Sequence, residues 1–135
     1  MALSGHSVVS FDFEEGVINK MSQRKGNLVK YEIGDMLDMK YEKESFDVVL
    51  DKGSFDALCN DGSAESQARM KVYCDGVKRV LKHSVDERAG GYICITLLQN
   101  FVLEALLTNF ASDDLKYELT IWVIDKPTQA GTSQF

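Results

Sequence analysis

Ten glycines occur in the chain, yet no two of them stand in a G-x-G spacing. The sequence therefore has no glycine-rich loop of the kind that cradles phosphates or a dinucleotide. Cysteine is scarce, at Cys59, Cys74 and Cys94 only. An odd number at wide spacing excludes a disulfide framework and a zinc site. Cys74 and Cys94 lie inside apolar patterns and read as small core residues, which points to a reducing compartment, the cytoplasm. The two histidines, His6 and His83, have no serine or cysteine in a triad pattern, and no metal-ligand spacing is present. No apolar run approaches the roughly 20 residues of a membrane span. The opening residues MALSGHSVVSF carry no basic segment, so no secretory signal is expected. Proline occurs once, at Pro127, and no repeat, linker or low-complexity tract is visible.

What is present describes one small α/β domain. A chain of 135 residues suits a single core. Hydrophobic residues make up 44%, enough for a globular chain. Net charge is −6, from 15 basic and 21 acidic residues, which argues against nucleic acid as a partner. The one basic group, Lys78, Arg79 and Lys82, reads as a helix end, where cations suit the dipole.

Strand and helix patterns alternate. Residues 7–13 are apolar and β-rich and end in the acids Asp12, Glu14 and Glu15. Val17, Ile18 and Met21 share one side of a short helix. A second strand, 28–33, begins after Asn27 and stops at Gly34-Asp35, and residues 38–45 read as a loop. Residues 46–51 are continuously apolar after Asp47, a pattern that suits a strand covered on both faces. Asn60-Asp61-Gly62 is turn chemistry, and Ser63 can cap a helix running to Lys82. A polar loop, 84–90, leads to a strand at 92–97, then to a helix at 101–110. Residues 117–124 alternate as a half-buried strand should, with Trp122, Phe101 and Phe110 expected in the core. This order implies crossovers and a mainly parallel sheet.

Three strands end in acid: Asp12, Asp35 and Asp51. In a parallel sheet such ends share one edge, where open α/β folds bind ligands, and a carboxylate there can bond ribose hydroxyls. The most informative stretch is FDVVLDKGSFDAL, 46–58, in which an apolar strand runs into Asp51-Lys52-Gly53.

GHSVVSFDFEEGVINKM, GDMLDM and FDVVLDKGSFDAL resemble successive motifs of class I S-adenosylmethionine-dependent methyltransferases. More narrowly, DKGSFDAL, a helix ending VKRVLK and then GGYICITL resemble the methyltransferase-like enzymes acting on lysines and the amino terminus of translation elongation factor 1-alpha. The likeness spans nearly all of residues 5–124. It implies a Rossmann-like three-layer sandwich, S-adenosylmethionine as cofactor and a protein substrate. By the same resemblance, Asp12 matches the acid on the cofactor's ribose, Asp35 the acid at the adenine amino group and Met36 the apolar residue on the adenine ring. Asp51, Lys52 and Gly53 match the strand-end motif beside the methionine moiety and the incoming nucleophile. Phe55 and Asp56 would shape the substrate side. Asp51 could orient an acceptor amine or help deprotonate it.

The family's first strand and glycine-rich loop have no counterpart here, and its final hairpin lacks a second arm. In the family's strand order the absent first strand lies between the strands ending at Asp12 and Asp51. With strands spaced about 4.8 Å, each omission leaves a gap or forces new pairing, and open edges within a sheet invite aggregation. The expectation is a truncated methyltransferase domain with impaired cofactor binding. A noncatalytic protein-interaction module of the same fold is the alternative. A phosphorylated receiver domain fits less well, because the interval from Asp51 to Thr96 holds an extra long helix. A nicotinamide oxidoreductase also needs the missing loop.

Overall fold

The computed structural model describes residues 5–24, 28–59, 61–83, 90–111, 118, 120–122 and 124. Among them are four strands and four helices in alternation. These are β1 (Val8–Asp12), α1 (Glu15–Ser22), β2 (Val29–Ile33), β3 (Val48–Lys52), α2 (Ser54–Leu58), α3 (Ala64–Val80), β4 (Gly91–Ile95) and α4 (Asn100–Phe110). Both strand pairings are parallel, as the alternation requires. β1 pairs with β2 in the register Asp12↔Ile33, and β3 pairs with β4 in the register Asp51↔Cys94. This is the Rossmann-like α/β arrangement expected.

The sheet is nevertheless split. The described strands form two separate two-stranded sheets, β1-β2 and β3-β4. The interruption falls between the strands ending at Asp12 and Asp51, where a gap was expected. The halves touch through a loop and a helix end. The Tyr41 ring meets Phe11 at 5.7 Å and Phe46 at 5.0 Å, both edge-on. Arg79 donates to the carbonyls of Met39, at 2.6 Å, and Tyr41. Glu44 N donates back to the Arg79 carbonyl at 2.9 Å.

The core belongs to the second half. Phe55, Leu58, Cys59, Met70, Tyr73, Cys74, Val77, Leu81, Val102, Ala105 and Leu106 form one buried cluster. Along α3 the buried positions 66, 70, 73, 74, 77 and 80 keep helical spacing, so one stripe faces the sheet. Ser63 starts the helix as expected, its Oγ accepting from Ser66 N at 3.1 Å. Ser66 then donates to the Leu58 carbonyl at 2.6 Å, tying α3 to α2. Lys78 and Arg79 do occupy the last turn. Lys78 also donates to the Asn109 carbonyl at 3.1 Å, which joins α3 to α4. In the first half, Ile18 alone among the described residues up to position 50 is buried.

Four expectations are corrected. The β3 strand is covered on one face only: Val49 and Asp51 turn inward, while Val48 and Leu50 are 52% and 55% exposed. Ile93 and Ile95 continue that bare apolar face on β4, because no described element packs against it. The strand expected at 117–124 is absent at the described positions Glu118, Thr120, Ile121, Trp122 and Ile124. Trp122, expected in the core, is 79% exposed. Alternation alone cannot make a strand without a neighbour to pair with. Val17 likewise points out, leaving Ile18 as the buried residue of α1. Asn27, Asn60, the loop at 84–89, positions 117, 119 and 123 and the tail from 125 lie outside the described residues.

These assignments separate two substitutions. Met70→Ala should lower stability by about 2–5 kcal/mol through lost burial and a residual cavity. Trp122→Ala should change it by no more than about 0.5 kcal/mol, as an exposed side chain would. Urea unfolding followed by circular dichroism measures both.

Candidate active site

The carboxyl ends of the strands carry the polar chemistry. Asp12 is the last residue of β1, and Gly34 N donates to its carbonyl at 3.0 Å, so the ends of β1 and β2 are stitched together. The Asp12 carboxylate accepts from Glu14 N through Oδ1 at 2.9 Å. Asp35, two residues past β2, accepts from Leu37 N through Oδ1 at 2.8 Å. In both acids Oδ2 has no partner among the described residues. A cleft of about 490 Å³ opens beside Asp35, walled by Phe11, Ile33, Gly34, Met39 and Tyr41. Met36 is half-buried and packs against the core cluster. A second cleft, of about 520 Å³, lies between α3 and α4 and is lined by none of the strand-end residues.

The end of β3 behaves differently. Asp51 is only 3% exposed. Its Oδ1 accepts from Ser54 N at 2.8 Å, and Phe55 N reaches Oδ2 at 3.1 Å. The same Oδ2 accepts from the Tyr73 hydroxyl at 2.7 Å and the Tyr92 hydroxyl at 3.2 Å. Four donors therefore fill this carboxylate from within the protein. It faces the core and is closed off from solvent, so an acceptor amine has no open route to it. Lys52 is exposed. Gly53 follows with φ +81°, the left-handed conformation that disfavours a Cβ, and its N–H donates to the Ile95 carbonyl at 3.1 Å.

Phe55 and Asp56 do not shape an open substrate side in this arrangement. Phe55 is fully buried, packed against Tyr73 at 5.9 Å between ring centroids. Asp56 binds the segment after β4. Its carboxylate accepts from the Thr96 hydroxyl and from Leu97 N, the latter at 3.2 Å. Leu98 N then donates to Thr96 Oγ1 at 3.0 Å, and Leu98 takes a positive φ of 48°.

Tyr73 and Tyr92 were not singled out from sequence as site residues. Both sit in apolar patterns that conceal them. The available signal was that a buried tyrosine hydroxyl must find a partner. Burial pushes both phenols far above their ordinary range, and the Asp51 charge pushes the same way. Burial also pushes the Cys74 thiol up to about 12 and the Cys94 thiol up to about 11, so neither is a ready thiolate nucleophile. Among the described residues, no group of three or more acids, histidines or cysteines could hold a metal ion. No helix among them is long and apolar enough to cross a membrane.

A family model described as a methyltransferase domain matches residues 1–130. The chain belongs to the methyltransferase domains. Its parallel strands and the acids at their ends are thus parts of a class I S-adenosylmethionine-dependent fold, from which the split sheet departs. No curated protein matches the sequence. The residues of this methyltransferase domain fit the adenosine end of such a cofactor. Among the described residues Asp12 and Asp35 each keep an oxygen without a donor, and Asp35 lies beside an apolar wall. At the methionine end their support is partial: the Lys52-Gly53 turn lies at the strand end, but Asp51 is buried, the Gly53 N–H is bonded to Ile95, and no G-x-G spacing occurs in the sequence.

The Gly53 conformation sets a measurable expectation. A Cβ there would meet no heavy atom within 4 Å, so Gly53→Ala should cost only backbone strain, about 1–2 kcal/mol. Gly62→Ala, equally open and without a positive φ, should stay within about 0.5 kcal/mol. Chemical denaturation of the two variants makes the comparison.

Proposed function

We propose that this domain is built for methyl transfer from S-adenosylmethionine to a protein lysine, with translation elongation factor 1-alpha as the candidate substrate and the cytoplasm as its location. Asp12 is assigned to the ribose hydroxyls, Asp35 to the adenine amino group and Met36 to the ring. Lys52 and Gly53 are assigned to the turn beside the reacting groups. The observation that carries this reading is the carboxylate oxygen on each of Asp12 and Asp35 that has no donor among the described residues, at strand ends stitched together by Gly34.

When bound, the cofactor supplies a sulfonium methyl that is already electrophilic, so this chain need contribute no nucleophile. Its residues hold and align. Asp51 does not serve as the acceptor's base in this scheme, because it is buried and turned to donors within the core. The resemblance of DKGSFDAL to lysine methyltransferases supports the acceptor class. The acidic balance of the chain suits a basic acceptor segment.

With its methionine end only partly supported, the 135-residue chain is expected to bind the cofactor weakly. A second reading is a noncatalytic interaction module, favoured by the bare apolar face of Val48, Leu50, Ile93 and Ile95.

Calorimetric titration of the purified chain with S-adenosylmethionine should give a Kd weaker than micromolar. A micromolar value overturns the claim of an only partly supported methionine end. With millimolar labelled cofactor, methyl label on elongation factor 1-alpha should appear on lysine. Label on another residue type rejects the acceptor class. No label and no heat, with a stoichiometric partner co-purifying, favours the second reading.

A further inference from the structure

Two hydroxyls from different elements converge on one carboxylate oxygen that the methyl-transfer reading leaves without a chemical task. Tyr73 comes from the middle of α3 and Tyr92 from β4, and both donate to Oδ2 of Asp51. Their rings lie edge to face at 6.4 Å, and Tyr92 stacks on Phe110 at 5.3 Å. Each phenol is thus fixed by packing before its hydroxyl is considered. The carboxylate they hold does a particular job. Helix α2 begins after Gly53, which has no side chain, so its first N–H groups have no ordinary cap. Asp51, from the strand before, accepts from the N–H groups of Ser54 and Phe55 instead. The left-handed turn at Gly53 is therefore bracketed, with the capping carboxylate inside the core and the Gly53 N–H bonded to the end of β4.

A buried carboxylate without a cation is costly unless every oxygen is well donated to. An apolar residue in place of Asp51 would avoid that cost but would leave Ser54 N and Phe55 N without acceptors. The two phenols make the carboxylate tolerable and fix its rotamer.

We propose that Tyr73 and Tyr92 are positioning residues which, acting through Asp51, hold the Lys52-Gly53-Ser54 turn in its left-handed form at the ligand edge. The consequence for cofactor affinity rests on the reading of that edge given above; the ordering of the turn does not.

The test uses the whole chain free in solution. Tyr73→Phe keeps the ring and deletes one donor, and Tyr92→Phe deletes the longer bond. Amide hydrogen exchange read by NMR should accelerate at Ser54 and Phe55 by about tenfold or more in Tyr73→Phe and by less in Tyr92→Phe. Exchange at Val77 and Leu106 should stay the same. No acceleration at Ser54 and Phe55, or equal acceleration at all four amides, overturns the proposal, the second pattern being that of a merely structural role. A chemical-shift titration with S-adenosylmethionine up to millimolar concentration forms the second arm. Tyr73→Phe should weaken an observed affinity at least fivefold, and an unchanged affinity with a loosened turn overturns the link to the ligand edge. Absence of any shift in the unsubstituted protein counts against the cofactor reading alone, and the exchange arm still decides the positioning role.

Discussion

The site end of this fold depends on one buried charge being fully hydrogen-bonded. Asp51 lies where β3 gives way to α2, and its oxygens gather donors from α2, α3 and β4. Those bonds fix how α3 lies over the β3-β4 pair and how the chain leaves the strand. The tyrosine rings continue outward to Phe55 and Phe110, which belong to the same packed body. Polar satisfaction and apolar packing are thus one arrangement here, and neither would be correct without the other.

The two halves of the domain are unequal. The β3-β4 half owns nearly all the buried side chains; Ser66 and Lys78 tie its helices to one another, and Asp56 ties α2 to the segment after β4. The β1-β2 half has parallel pairing, an aromatic contact through Tyr41 and little else inside it. It nevertheless carries Asp12 and Asp35, the acids best placed to meet an adenosine. The two strand-end acids proposed for recognition and the bulk of the buried core therefore sit on different pieces of chain.

Much of this was legible in the sequence. Periodicity gave β1, β2, α3, β4 and α4 within a residue or two, because those elements bury a regular stripe or pair with a neighbour. Ser63 as a cap and Gly53 at a turn were legible from local chemistry alone. The split of the sheet followed from the motif order. What stayed hidden depends on tertiary partners. Asp51 looked like an acid facing a ligand, because sequence cannot tell that Tyr73 and Tyr92 lie behind it. Phe55 looked available to a substrate, although its helix turns it inward. Trp122 and the alternation around it suggested a half-buried strand, but a strand needs a partner that the pattern does not supply.

Arg79 lends the architecture a further meaning. Its guanidinium reaches back some forty residues to grasp the Met39 and Tyr41 carbonyls, while its own carbonyl takes the Glu44 N–H. This clasp is made at the last turn of α3, so it exists only once that helix is complete. The acid-bearing half is consequently a passenger moored to the finished core. Met36, Leu37 and Met39 add apolar packing to the clasp, while the Asp51 cluster is held entirely within the other half. A ligand bridging the two would act as a further mooring line between pieces of chain that the split sheet leaves without a shared strand pairing.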